Sequence, residues 1–300
     1  MTMKKILLTG ASGQLGKTFN LHFAHSYLLE KYSLLAFDRS EFDLSKEESI
    51  SSFLSLYKPS VIINCGAYTA VDDAETESEL AIKVNDEAVG RISSWASEND
   101  CRLIHISTDF VFDGASKKPY LPTDPAVPIG VYGKTKRAGE KHVLDSLADS
   151  GVVIRTSWLY SEFRRNFVRT MIRLMSEKPD IGIVKDQIGS PTSTHSLARV
   201  ILKVIEQRNI YGILHWCDGA SISWYDFALE IQRVAHEHGL LEKKIPLKPL
   251  MTLHYPTKAA RPSYSVLDRN LTLEKLGMIN TDWRIELEKV VERISGKLKG

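Results

Sequence analysis

The segment KKILLTGASGQLGKTF at residues 4–19 constrains this chain more than any other. An apolar run leads into glycines at positions 10, 13 and 16, and a helical pattern follows at once. Glycine lets the backbone turn tightly at Gly10, Gly13 and Gly16 and approach a ligand closely. The helix behind it offers unpaired N–H groups and the positive end of its dipole. Strand, turn and helix in that order make a seat for a dinucleotide diphosphate, with Gln14 and Leu15 in the same turn. The next apolar run, LLAFDR, ends at Asp38, roughly twenty residues past the last glycine, where the ribose hydroxyls are read.

Further apolar runs repeat the theme. KKILLTG, YSLLAFD, SVIINCG, CRLIHIST and GVVIRTS read as strands, with helical stretches at 15–28, 46–57, 78–98 and 133–149 between them. The runs are continuous, so both faces of the sheet are covered and the strands are mostly parallel. The expected fold is a doubly wound α/β domain of the Rossmann type. Later come a helix near 166–176, a strand IGIVK, a turn-rich DQIGSPTST, a helix at 195–207 and a strand GILHWC that returns to the sheet. A helix led by Ser223, a proline-rich connection at 246–262 and two closing helices complete the chain. These patterns divide it into a dinucleotide-binding domain at 1–160, rejoined by 193–218, and an interleaved substrate lobe at 161–300.

Composition bears mainly on what is excluded. With 300 residues and a net charge of +2, the chain can bury a large core and carries no basic stripe for nucleic acid. Cys65, Cys101 and Cys217 have no metal-ligand spacing and read as buried free thiols of a cytoplasmic protein. The opening MTMKKILLTGASG is too short in its apolar part for a signal peptide, and no stretch is long enough for a membrane span. HEHGL at 236–240 is not a zinc-protease motif, its histidines pointing different ways on a helix; His22 and His25 fit a helix surface. No metal is expected.

Strand C-terminal ends are where an open parallel sheet binds its ligand. Asp43 and Leu44 follow the second strand, Gly66, Ala67 and Tyr68 the third, and Thr108 and Asp109 the fourth. Tyr132 opens the next helix, with Lys136 four residues on and so on the same face. A phenol keeps its proton at neutral pH, and a nearby ammonium stabilises the phenolate left after donation. Tyr132 is therefore the candidate general acid for reduction of a ketone, Lys136 its tuner and a ribose holder, and Thr108 a hydrogen-bonding partner for the substrate oxygen. Tyr27 and Lys31 repeat the spacing but lie at the far end of the first helix, where the pair reads as a surface accident.

The GxxGxxG spacing and the Tyr-x-x-x-Lys pair resemble the extended short-chain dehydrogenase/reductase family. TGASGQLG, AYTAVDDAE, STDFVFDG, YGKTKRAGE, RTSWLY, DQIGSPT and ARPSYS follow the order found in the branch that reduces a 4-keto sugar on dTDP to dTDP-L-rhamnose. The resemblance implies that Thr108, Asp109, Phe110, Tyr132 and Trp158 line the sugar site. It makes Asn166, Gln187, Thr192 and Arg261 candidates for the nucleotide and diphosphate side, casts Asn85 as an organiser of the site, and makes a homodimer plausible. Asp38 favours a free 2′-hydroxyl while Arg39 can pair with a 2′-phosphate, so NADPH is expected, with NADH as a substitute.

Two positions depart from that branch, which usually has tyrosine for Phe110 and histidine for Tyr68. Phe110 also stands where related 4,6-dehydratases carry a proton-abstracting glutamate, which speaks against dehydration. A reductase or epimerase of another 4-keto sugar nucleotide remains an alternative. So does a binding protein like the regulatory β subunit of methionine adenosyltransferase, which keeps the Tyr-x-x-x-Lys pair but not RTSWLY or DQIGSPT.

Overall fold

The strands β1 (Lys4–Thr9), β2 (Tyr32–Phe37), β3 (Val61–Asn64), β4 (Arg102–Thr108) and β5 (Val152–Thr156) lie side by side in the order β2, β1, β3, β4, β5, all parallel. The computed structural model describes residues 3–296; the two residues before and the four after, at the ends of the two expected regions, lie outside the described residues. Alternate side chains of each strand face opposite ways. Ile6, Leu8, Ile63, Ile104 and Ile154 pack on one face with Phe19 and Phe23 of α1 (Gln14–Ala24). Leu7, Ile62, Leu103 and Val153 pack on the other with side chains of α2 (Glu47–Tyr57), α4 (Ala88–Glu98) and α5 (Val131–Ser146). Coverage on both faces is why the runs are apolar throughout rather than alternating.

Several boundaries differ from the sequence reading. The helix expected over 15–28 ends at Ala24, because Ser26 turns back to the Phe23 carbonyl through both N–H (3.0 Å) and hydroxyl (2.9 Å). Tyr27 begins a separate 3₁₀ turn, Tyr27–Glu30, where the Lys31 ammonium sits over its ring. The stretch at 78–98 is α3 (Ser78–Ile82) joined to α4 by a π turn, Lys83–Glu87, that contains Asn85.

Beyond β5 come β6 (Leu159–Tyr160), α6 (Phe167–Glu177), β7 (Ile181–Val184), β8 (Ile188–Gly189), β9 (Thr192–Ser193) and α7 (Thr194–Glu206). Then follow β10 (Gly212–Trp216), β11 (Ile222–Ser223), α8 (Trp224–Glu237), β12 (Leu247–Leu250), α9 (Asn270–Leu276) and α10 (Trp283–Ile294). β10 pairs in parallel with β5 as the sixth strand of the sheet, and α7 packs in the α1 core through Leu197, Val200 and Ile201. Tyr160, Met171, Phe227, Ile231, Trp283 and Leu287 form a second core between α6, α8 and α10. Ser223 caps α8 with Asp226 in a reciprocal pair of bonds, which accounts for the sharp start of that helix. The proline-rich connection supplies β12, a strand the sequence did not suggest, paired with β7. α9 leaves the lobe to bury Leu276 in the sheet's first core.

After β1 the strand order reverses direction, so the loops following β1 and β3 diverge. That divergence opens a crevice at the carboxyl edge of the sheet.

Candidate active site

Gly10 has φ +66°, and a Cβ there would come 2.9 Å from the Gly66 nitrogen; a Cβ on Gly16 would run into the Gly10 carbonyl. Only glycine permits this packing of the first turn on the loop after β3. Gly13 is the N-cap of α1, no side chain caps the helix, and its first turn holds no acidic residue. The amides that begin α1 thus face the crevice as an anion seat.

The crevice is a cavity of about 490 Å³. It is lined by Gly10, Gly13, Gln14, Leu15, Gly16, Arg39, Asp43, Leu44, Gly66, Ala67, Tyr68, Tyr132 and Lys136, the residues expected to hold the dinucleotide apart from Asp38. Asp38 takes another part. Its Oδ1 accepts from the Ser40 N–H (2.8 Å) and hydroxyl (2.6 Å), bonds that hold its carboxyl below the ordinary range. Arg39 lines the cavity instead, with its Nε 3.6 Å from Asp43.

At the inner end, Thr108 closes β4 and Asp109 begins a short 3₁₀ turn. The Thr108 hydroxyl donates to Asp109 Oδ1 at 3.0 Å. Tyr132, in the first turn of α5, has its phenol pushed up to about 12, mainly by burial, with the neighbouring Thr108 side chain working the other way and the Asp109 charge adding to the rise. It therefore keeps its proton at neutral pH. Lys136 is buried, and its Nζ donates to the Ile106 carbonyl at 2.7 Å and lies 3.3 Å from His105 Nε2. Burial lowers Lys136 to about 8, against the pull of Glu140 and Cys65. Asp109 is pushed up to about 6 by burial, and its Oδ2 has no hydrogen-bond partner.

Asn85 is buried in the π turn. It accepts from the Tyr68 N–H (2.9 Å) and donates to the Tyr68 carbonyl (3.0 Å) and the Thr135 hydroxyl (3.2 Å), joining the loop after β3 to α5. The Tyr68 hydroxyl donates outward to Glu77 at 2.8 Å.

A second, small cleft of about 20 Å³ is lined by Phe110, Trp158, Gln187 and Arg261 together with Trp224 and Ser265. The Phe110 ring stands edge-on to Tyr132, so this cleft adjoins the first. Arg261 is paired with Asp72 at 2.8 Å, and Gln187 donates to Thr252 at 3.1 Å. Of the residues expected at the sugar and nucleotide sites, Thr108, Asp109, Asn166 and Thr192 line neither cavity. Asn166 caps α6, accepting from the Arg169 N–H and donating to the Ser161 carbonyl at 2.8 Å. Thr192 is fully buried in β9, with its hydroxyl unpartnered.

Sequence reasoning missed Trp224, stacked on Trp158 at 3.5 Å, and Arg164, whose Nε donates to the Ser12 carbonyl. Only their three-dimensional proximity marks them. His22 was read as a surface residue, yet its Nε2 lies 2.9 Å from His195 Nδ1, and burial lowers it to about 4. Among the described residues no His, Cys, Asp and Glu group could hold a metal ion, and no helix is long and apolar enough to cross a membrane.

A parallel sheet with a glycine turn at its switch point, and a Tyr-x-x-x-Lys helix across the crevice, define an extended short-chain dehydrogenase/reductase. Within that class the chain belongs to the family described as RmlD substrate binding domain, whose model matches residues 3–295. It is 37% identical to a dTDP-4-dehydrorhamnose reductase of Aggregatibacter actinomycetemcomitans, over 96% of this chain and 98% of that one. A solved dTDP-4-dehydrorhamnose reductase from Clostridium acetobutylicum superposes with a TM-score of 0.89 at 37% identity, covering 97% of this chain and 99% of its own. Another from Bacillus anthracis, solved in complex with NADP, gives 0.88 at 34% identity, covering 97% and 100%.

Proposed function

We propose that this chain reduces the 4-keto group of dTDP-4-dehydro-L-rhamnose with NADPH to give dTDP-L-rhamnose. The observation that carries the reading is the Tyr132 phenol, one helical turn before Lys136, at the junction of the large cavity and the aromatic cleft. The cavity fits a dinucleotide: the glycine cradle admits no Cβ, and the uncapped start of α1 suits a diphosphate. Gly10, Gly13, Gln14 and Leu15 would hold the diphosphate, Arg39 the 2′-phosphate, and Lys136 the nicotinamide ribose. When bound, the nicotinamide supplies hydride to the ketone carbon.

The protein's own part is proton delivery and placement. Thr108 hydrogen-bonds the ketone oxygen, and Tyr132 gives its phenolic proton to that oxygen as charge develops there. Lys136, while charged, stabilises the phenolate that remains. Trp158, Gln187 and Arg261 orient the dTDP moiety. The reading includes a cytoplasmic location, in keeping with three free cysteines, and a homodimer as the working form.

Purified protein supplied with NADPH and enzymatically generated dTDP-4-dehydro-L-rhamnose should oxidise the nicotinamide and form dTDP-L-rhamnose. No oxidation, with NADPH binding demonstrated separately, would overturn the reading. A second reading, another 4-keto sugar nucleotide as substrate, is favoured by Phe110, which presents a ring edge and no hydroxyl beside Tyr132.

A further inference from the structure

Thr9, Asn64 and His105 stand side by side on β1, β3 and β4, the register pairing Thr9 with Asn64 and Asn64 with His105. All three are fully buried. They share a sheet face with Leu7, Ile62 and Leu103, the face that α5 covers, where apolar packing would be the ordinary choice. A polar row in that place calls for an account of its hydrogen bonds.

The bonds run in one line. The Gly66 N–H donates to Thr9 Oγ1 at 2.9 Å, and the Thr9 hydroxyl donates to Asn64 Oδ1 at 2.6 Å. Asn64 Nδ2 lies 3.1 Å from His105 Nδ1, and His105 Nε2 lies 3.3 Å from Lys136 Nζ. Nζ also donates to the Ile106 carbonyl at 2.7 Å.

Counting protons along this line gives two self-consistent states. Burial, then the nearby Lys136 charge, holds His105 well below its ordinary value, so the ring is neutral and has one N–H and one acceptor. In the first state Asn64 donates to Nδ1, so the ring proton sits on Nε2 and points at Lys136. An N–H pointing there can meet the lone pair of an amine, but not an ammonium, which has donors only. In the second state Lys136 is an ammonium and donates to Nε2. The ring proton then sits on Nδ1 and is accepted by the Asn64 amide turned over, whose NH₂ group donates to Thr9 Oγ1. Both states satisfy His105 and Asn64, and they differ by the charge on Lys136.

We propose that His105 is a positioning residue for Lys136, its tautomer switching with the polarity of the Thr9, Asn64 and His105 row so that amine and ammonium are each held by a matched partner. The head of the row is the Gly66 amide on the cavity wall. The other titratable groups around Lys136 are Cys65 after β3 and, on its own helix, Tyr132 and Glu140. Glu140 is itself held by Arg155 of β5 at 2.8 Å and by the Ser107 hydroxyl at 2.6 Å. These fix the background charge. His105 is the partner that can change from acceptor to donor. Only the consequence for turnover rests on the reductase reading; the tautomer does not.

The test is nuclear magnetic resonance of the full chain without substrate, labelled at histidine nitrogen and lysine Cε, titrated through the alkaline range. Long-range proton–nitrogen spectra report which ring nitrogen of His105 is protonated, with assignment from His105→Gln and Lys136→Met. His105 is expected to stay neutral, with Nδ1–H below the Lys136 midpoint and Nε2–H above it. A single tautomer across the Lys136 titration would overturn the proposal. Because no turnover is measured, a failed NADPH oxidation assay and a failed tautomer switch are separate results.

Discussion

Arg164 Nε donates to the Ser12 carbonyl oxygen at 2.8 Å, fastening the segment after β6 onto the glycine turn 152 positions earlier in the chain. Arg164 holds φ +53°, a left-handed conformation that a non-glycine residue adopts at some energetic expense, and its charge reaches Asp38. The segment is thus tied to the turn proposed to seat the diphosphate. Arg164→Ala is expected to weaken NADPH binding roughly 3- to 10-fold by calorimetry. An unchanged Kd would detach this segment from the cofactor.

Arg39 reaches the cavity from the end of β2 with most of its side chain exposed, while the Asp38 carboxylate is taken by Ser40. On the proposed reading, recognition of the 2′-phosphate falls to the guanidinium. Arg39→Ala should raise KM for NADPH by roughly 5-fold or more and leave KM for NADH nearly unchanged. Equal losses for both dinucleotides would remove Arg39 from that role.

Tyr132 is the phenol at the junction of the two cavities, the place proposed for the ketone oxygen. Tyr132→Phe keeps the ring and its edge-on packing with Phe110 while deleting the proton. Turnover should fall roughly 10²-fold or more with the NADPH Kd within about twofold. Near-normal turnover would be incompatible with Tyr132 as the acid.

How much of this was legible before folding depends on the range of each interaction. The five strands of the first half declare themselves as unbroken apolar runs because both sheet faces are covered. Tyr132 and Lys136 are found by helical spacing, a local regularity. Asp38 follows β2 as expected, but the spacing does not announce that Ser40, two residues on, holds one of its carboxylate oxygens in a local turn. Asn166, expected on the nucleotide side, also caps α6, a role set by the turn that precedes the helix. Trp224 and Trp158 meet only after α8 packs on the lobe core, and His105 meets Asn64 only through strand register. Nothing in the spacing of those residues announces the contact.

Asp109 is buried with Oδ2 unpartnered, and burial raises its carboxyl to about 6 from an ordinary 3.8. The folded value lies above the unfolded one, so the stability linked to this group is fully present below about pH 3.8 and is lost as pH rises through about 6. Asp109→Asn removes that loss. The variant should melt a few degrees higher than the wild type at pH 8, with the gap closing toward pH 4. A pH-independent difference would mean that the carboxylate is not the source.

The Trp158 and Trp224 rings stack at 3.5 Å with an 11° tilt, and the cleft beside them has only about 20 Å³. That is room for about one water molecule, far short of a nucleotide. Phe167 supports Trp224 from behind, and Trp158 is held at φ +47°, so neither ring is free to drift. Stacking of this kind is worth about 0.5–1.5 kcal/mol, an amount that a nucleotide's own contacts can repay. On the proposed reading, with dTDP entering between Phe110 and Arg261, the pair has to open. Titrating dTDP into the wild type should change tryptophan emission. Trp224→Leu should lose most of that change while the Kd moves by less than about fivefold. Emission that stays constant while dTDP binds would mean that the base lodges elsewhere and the stack remains closed.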